Sequence, residues 1–280
     1  MKIYKQKYIN MLMHKAIKFF DVTLRDGLQT SKKILNLSKK KAILNNIMNL
    51  YNPTYLEVGS LVSPKVLPQM KHSLELYKYA SSKYIYNHFF LLIPNINYLK
   101  KGFEMGVDNY SFITSVSNDF QMKNIKIDLQ DTKQELNDMM NYLDKNHHTG
   151  MRKLYISCIN ECPIFGKIDN HSIIEEILYY KDNFHFDNIC LSDTCGTLSY
   201  KDMKEIIEYL LEFNMQPEKL SIHLHLHNDD KEKIRLMLNF LIKNNITLFD
   251  VSMLEDSGGC SVTIEEGKTK RNLTYQDLIE

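Results

Sequence analysis

FFDVTLRDGLQT, residues 19–30, opens as an apolar run and closes on charge. Phe19, Phe20 and Val22 have the character of a strand, and Arg25, Asp26, Gly27 and Gln29 follow within a few residues. Taken alone, Arg25 beside Asp26 reads as a surface ion pair in a turn that Gly27 relaxes. The same grammar, a strand that ends in polar residues, recurs along the chain, and the recurrence decides the fold. Strand-like runs are predicted near 17–22, 54–58, 85–92, 109–115, 153–159, 187–192, 220–227 and 247–253. Lys39–Leu50, Gln130–Tyr142, Ile173–Tyr180, Met203–Phe213 and Glu232–Ile242 between them place apolar residues at helical spacing. Eight βα units without a Gly/Ser/Pro-rich linker predict an α/β chain folded as a single (β/α)8 TIM barrel, rather than a doubly wound sheet with an added domain. The expected organisation is an N-terminal extension over residues 1–16 and one barrel domain over residues 17–280.

Composition narrows the partners. A chain of 280 residues with 44% hydrophobic and 25% charged residues can bury a sizeable core. Its 35 basic and 34 acidic residues give a net charge of +1, so no bulk field points to nucleic acid or a membrane surface, and the expected partner is a small molecule. Five cysteines, an odd number without metal-ribbon spacing, read as reduced thiols in a cytosol-like compartment. Lys2, Lys5, Lys7 and Lys15 stand near the start, but residues 1–16 hold no arginine and no long apolar core. A cytoplasmic protein without export or transit signal is expected, and no run of eighteen apolar residues offers a membrane span.

In a barrel, chemistry gathers where the strands end at their carboxyl side. SIHLHLHNDD, residues 221–230, places His223, His225 and His227 at every second position of the seventh strand, with Ile222, Leu224 and Leu226 facing the other way. Two imidazoles at i and i+2 can share one ion, with Asp26 at the end of strand one as the carboxylate. His223, deepest of the three, is expected in the core or behind the ligands. YLEVGS, residues 55–60, ends strand two with Glu57, which either accepts from the following loop or orients Arg25. CLSDTCGTL, residues 190–198, closes strand six with Asp193 and Thr194, and the aspartate either caps the next helix or faces the site. EDSGGCSVT, residues 255–263, carries Cys260 behind Gly258 and Gly259, and a thiol there could donate a proton, attack as a nucleophile or do neither.

These segments resemble the 3-hydroxy-3-methylglutaryl-CoA lyase family, within the larger group of metal-dependent barrels whose first strand ends in R-D-G. RDGLQ (25–29), LEVGSLVSPKVLPQM (56–70), PNINYLKKGFEMGV (94–107), YISCINECPIFGKI (155–168), LSDTCG (191–196), HLHND (225–229), GGC (258–260) and NLTYQDL (272–278) resemble lyase segments in the same order. The resemblance implies that Asp26, His225, His227 and Asn272 bind a divalent cation, Mg2+ or Mn2+. It implies that Arg25 stabilises an enolate oxygen and that Cys260 sits on a catalytic loop. Glu57 and Asp193 match active-site carboxylates, Gln29 matches a polar residue near the metal, and Thr194 stands beside them as a substrate-binding candidate. The expected activity is carbon–carbon cleavage of a 3-hydroxyacyl-CoA such as 3-hydroxy-3-methylglutaryl-CoA, to acetyl-CoA and acetoacetate. Related aldolases and Claisen-condensing enzymes share the R-D-G and H-x-H motifs and form the alternative, as does a catalytically retired metal-binding homologue.

Two departures bear on those expectations. The segment between Cys260 and Asn272, SVTIEEGKTKR, is longer and more charged than in the family. Its Lys268, Lys270 and Arg271 read as a solvated loop face, with approach to CoA phosphates as the alternative. The sequence also reaches Glu280 one or two turns into the eighth helix, so a shortened C-terminal helix is expected, with apolar barrel surface that a homodimer would cover.

Overall fold

Phe19 and Phe20 can pair as a strand only if both faces of the sheet are buried, and the computed structural model supplies both faces. It describes residues 17–226, 231–255, 257–267 and 269–279. Barrel strands are β1 (Lys18–Asp21), β2 (Tyr55–Ser60), β3 (His88–Leu92), β4 (Asn109–Ser115), β5 (Arg152–Ser157), β6 (Asn188–Asp193), β7 (Leu220–Leu226) and β8 (Leu248–Val251). Each pairs in parallel with the next, and β8 pairs back onto β1 with Lys18 opposite Leu248, which closes the barrel. The expected TIM barrel is therefore the fold observed, and every predicted strand has its counterpart. The predicted N-terminal extension lies outside the described residues.

Outer helices are α1 (Leu37–Leu50), α2 (Ser73–Lys83), α3 (Ile96–Glu104), α4 (Leu129–Lys145), α5 (Asn170–Asn183), α6 (Tyr200–Glu212), α7 (Lys231–Lys243) and α8 (Tyr275–Ile279). Side chains of Asn36, Asn95, Asp128, Asp169 and Ser199 accept the first free backbone N–H groups of α1, α3, α4, α5 and α6. Helices begin two or three residues before the apolar pattern predicts for α1, α5 and α6, because a capped polar first turn carries no apolar period. Leu224 and Leu226 of β7 face the helical shell, in one core with Ile207, Leu210, Ile234 and Met237.

The barrel interior is layered. Phe20, Val22 and Phe90 fill its amino-terminal end. Above them the Lys153 ammonium lies 3.4 Å from the Phe20 ring centre and 2.5 Å from Asp250 Oδ1, and both charged residues are almost fully buried. Burial disfavours the ionised Asp250 carboxylate, but Lys153 and His223 outweigh it and hold the group below its ordinary range. Next come Tyr155 and His223, with ring centres 6.2 Å apart, so the upper interior is polar.

A short ninth strand, β9 (Arg271–Asn272), enters the wall at that upper end. β7 leaves β8 after Ile222 and pairs antiparallel with β9, which sets Asn272 opposite His225. Leu273 continues the bridge, donating to the Leu224 carbonyl at 3.1 Å and accepting from Ser252 N–H at 2.9 Å. Arg271 grips Asp277 with two N–H···O bonds of 2.6 and 2.9 Å and so ties β9 to α8. Tyr275 of α8 stacks on Tyr51 at 3.7 Å and donates its hydroxyl to Asp21 Oδ2 at 2.7 Å.

Asp21 makes a pH test of this dock. Burial pushes its carboxyl up to about 6, against the hydrogen bonds from Tyr275 and Thr23. The native state then holds the Asp21 proton more tightly than the unfolded chain, so this group's contribution to stability is lost as pH rises from about 4 to about 6. Asp21→Asn, which cannot ionise, is expected to gain on the wild type by roughly 3 kcal/mol between pH 4 and pH 7 in denaturant titrations. Parallel stability–pH curves would contradict the assignment.

Candidate active site

Past Asp21 the chain folds back on the strand end. Arg25 N–H and Gly27 N–H both bond to the Val22 carbonyl, at 3.2 and 3.0 Å, and Asp26–Gln29 forms one helical turn. That turn aims Arg25 and Asp26 inward, each only 6% exposed. Arg25 Nη1 donates to Asp26 Oδ1 at 2.7 Å, and Arg25 Nε donates to Glu57 Oε2. Glu57 thus takes the role of orienting Arg25, one of its two sequence readings. Tyr155 donates to the same Glu57 oxygen at 3.3 Å, and its ring lies 5.0 Å below the guanidinium carbon. Burial works against the charged guanidinium, yet Glu57 and Asp26 hold Arg25 more firmly protonated than usual. Among the described residues Nη2 makes no hydrogen bond, so it can meet a ligand in the cavity.

Asp26 is the hub. Its Oδ2 accepts from Asn272 Nδ2 at 2.9 Å and lies 3.9 Å from His225 Nε2 and 4.0 Å from His223 Nε2. Burial alone would keep Asp26 protonated, but Arg25 and the two histidines hold the carboxyl far below its ordinary range. His225 moves the opposite way: burial opposes its charge, and Asp26 with the Asp193 carbonyl outweighs that and raises it. Asp193 binds His225 Nδ1 through its main-chain oxygen at 3.0 Å. Its carboxylate oxygens instead accept from Thr197 and Leu198 N–H at 3.2 and 3.0 Å, in the loop before α6 and not in its first turn, which Ser199 caps, and burial raises its carboxyl. His227 lies outside the described residues, as does Lys268.

His223 is buried, as its expected place in the core or behind the ligands requires. It is not sealed in the core: its ring reaches the cavity and groups with Asp26 and His225, with one ligand atom of each lying within 4.8 Å of the others. Sequence alternation places the three histidines on one face but cannot tell how far up the barrel each ring reaches.

The cavity measures about 430 Å3 and opens at the carboxyl ends of the strands. Arg25, Asp26, Gln29, Thr194, His225 and Cys260 line its polar side, and Val62, Leu67, Leu92, Ile113, Phe120 and Ile264 line an apolar lobe. Ser60, Tyr155, Ser157 and Ser192 also face it and were not singled out from the sequence, since single polar residues on an inner strand face carry no pattern. Thr194 also accepts Cys158 N–H at 2.8 Å, bracing the β6 end against β5.

The closing loop is built for contact with the site. Gly258 and Gly259 adopt φ of +144° and +77°, and a Cβ on Gly258 would stand 2.7 Å from the Lys270 carbonyl and 2.9 Å from Asn272 N. Gly259 N–H reaches His225 Nε2 at 3.1 Å, and Cys260 caps the helix Ser261–Glu265. Burial pushes the Cys260 thiol up, which keeps it protonated.

The donor set suits a divalent cation. His225 Nδ1 faces a carbonyl and His223 Nδ1 faces the Asp250 carboxylate at 3.2 Å, which turns the Nε2 edge of each ring toward Asp26, with His225 Nε2 also accepting from Gly259 N–H. Among the described residues Asn272 Oδ1 is buried without a partner, and turning the amide over would place that oxygen beside Asp26 Oδ2. A carboxylate, two imidazole edges and an amide gathered in one buried place form a set that a divalent cation could join.

The HMGL-like family model matches residues 16–231, three quarters of the chain and all barrel strands through β7. The chain belongs to the HMGL-like family. It is an HMGL-family lyase, and its relatives include two lyases from a bacterium and from human. One is the 3-hydroxy-3-isohexenylglutaryl-CoA/hydroxy-methylglutaryl-CoA lyase of Pseudomonas aeruginosa, 25% identical over 250 residues, covering 89% of this chain and 80% of that one. The other is the mitochondrial hydroxymethylglutaryl-CoA lyase of Homo sapiens, 25% identical over 265 residues, covering 95% and 78%. Among solved structures, an HMG-CoA lyase from Acinetobacter baumannii in complex with coenzyme A and 3-methylmalate superposes with a TM-score of 0.83 at 21% identity, over 95% of this chain and 83% of that one. That likeness supports the barrel assignment for this HMGL-family chain. No helix among the described residues is long and apolar enough to cross a membrane.

Proposed function

We propose that this HMGL-family lyase cleaves 3-hydroxy-3-methylglutaryl-CoA, or a close 3-hydroxyacyl-CoA, to acetyl-CoA and a 3-oxo acid, with a divalent cation at Asp26, His225, Asn272 and His227. The observation that carries the reading is the meeting of Arg25, Asp26, His225 and Cys260 around one cavity, with Asn272 bonded to Asp26, from four separate places in the chain. The resemblance implies Mg2+ or Mn2+ as the ion. Bound there, the cation supplies Lewis acidity to the alcohol and carboxylate oxygens of the substrate.

The rest is the work of side chains. Cleavage removes the alcohol proton, breaks the C2–C3 bond and leaves the electron pair on C2 as the thioester enolate. Arg25, fixed by Glu57 and Asp26, presents Nη2 to the thioester oxygen where that charge develops. Asp193 serves the site by fixing the His225 ring through its carbonyl, and the alcohol proton leaves to solvent water through the open cavity. Cys260, protonated and on the cavity wall, returns a proton to C2. The apolar lobe from Val62 to Ile264 holds the 3-alkyl group and the thioester arm. Five free cysteines, four of them buried, accord with a reducing compartment such as the cytosol. Residues 1–16 remain an extension in this reading, and a homodimer its assembly.

Incubating the purified chain with Mn2+ and, separately, 3-hydroxy-3-methylglutaryl-CoA, a free 4-hydroxy-2-oxo acid, and acetyl-CoA with a 2-oxo acid tests the reading. Acetoacetate from the first alone supports it. Turnover only of the second or third would assign the aldolase or condensing alternative instead.

A further inference from the structure

We propose that His223 is itself a metal ligand in this chain, so that the site prefers a nitrogen-seeking divalent ion such as Co2+ or Zn2+ over Mg2+. The inference rests on the metal-dependent reading above and goes beyond its four ligands. His223 is built as liganding histidines are: a carboxylate, Asp250 Oδ2, holds Nδ1 at 3.2 Å and so fixes the tautomer and the ring direction. Asp250 is anchored in turn by Lys153 at 2.5 Å. The ring stands edge-to-face on His225, with centres 4.8 Å apart. Its Nε2 comes to 4.0 Å from Asp26 Oδ2 and has no hydrogen-bond donor among the described residues.

The barrel uses an Asp–Lys pair to hold the Nε2 edge of His223 beside a buried carboxylate oxygen and a second imidazole, which gathers three ligand atoms of the kinds a cation takes in one place. The bland alternative is a ring that only braces the barrel. It explains the bond to Asp250 but not why Nε2 faces the cavity beside Asp26 and His225, whose donor atoms lie with it inside 4.8 Å. Adding a third imidazole to His225, His227, a carboxylate and an amide shifts the donor set further from Mg2+, which takes oxygen ligands and retains water, toward ions later in the first transition row.

The test titrates chelator-stripped full-length protein with Co2+ and with Mg2+ by calorimetry, recording the Co2+ visible spectrum. His223→Asn keeps an amide N–H near the position of Nδ1 for Asp250 and has nothing at Nε2. It is expected to weaken Co2+ binding by about 10- to 100-fold, to change Mg2+ binding less than threefold, and to shift the Co2+ bands. Unchanged Co2+ affinity and spectrum in His223→Asn, with both lost in His225→Asn, would overturn the role of His223 and leave the metal-dependent reading intact. Failure of the wild type to bind any of these ions would instead overturn that reading. X-ray absorption on Co2+-loaded wild type needs no variant: more than two imidazoles around the ion supports the proposal, and two or fewer rejects it.

Discussion

Asp26→Ala is expected to lower kcat/KM on 3-hydroxy-3-methylglutaryl-CoA by at least about 10³-fold, the several kcal/mol that Lewis-acid stabilisation contributes. Asp26 joins four residues from three places: Arg25 beside it, His223 and His225 from β7, and Asn272 from β9. Without its carboxylate, three sets of donors and lone pairs lose their common partner, and cation affinity should fall with activity. The loss must survive added metal to count as loss of the site. Circular dichroism and a thermal melt of the variant separate this from unfolding, since Asp26 sits on a one-turn helix at the barrel rim rather than in the layered interior. Activity within tenfold of wild type would contradict the assignment.

Arg25→Met is expected to cost about 10² to 10³ in kcat, the range for removing one preorganised donor from a developing oxyanion. KM should change far less, because the charge that Arg25 meets exists only as the C2–C3 bond breaks. Arg25→Lys should recover little: the ammonium cannot bond Glu57 and Asp26 through a planar fork and still present a third N–H to the cavity. A variant that raises KM alone would show Arg25 binding the ground state, with Glu57 serving only to neutralise it.

How much of this was legible before the structure can be judged from single residues. The barrel was, because eight strand runs and their helices carry periods of two and of 3.6 that survive without tertiary context. The inward face of β7 was, for the same reason. Arg25 and Asp26 were legible as a strand-end pair, and Glu57 as a possible partner of Arg25, but the choice between that and a loop acceptor was not, since residues 25 and 57 meet only once β1 and β2 pair. Asn272 reached the candidate ligands through resemblance alone. Its physical placement depends on β9, a two-residue strand too short for any periodic signal, inserted where β7 parts from β8. The burial of His223 was legible but its reach to the cavity was not, because that reach follows strand stagger, and its link to Asp250 joins strands by a side-chain bond that no spacing encodes. Asp193 shows the reverse case: both of its readings were open, and the loop Thr197–Leu198 took the carboxylate while the site took the carbonyl.

The central claim is metal-dependent cleavage at Asp26. The most direct measurement strips the wild-type protein with a chelator, adds 3-hydroxy-3-methylglutaryl-CoA, and follows acetyl-CoA and acetoacetate before and after Mn2+ is restored, with Asp26→Ala alongside. The account predicts no product from stripped protein, equal amounts of the two products once metal returns, and none from Asp26→Ala under either condition. Equal turnover with and without metal, or no turnover by a folded wild type that has bound it, would contradict the account.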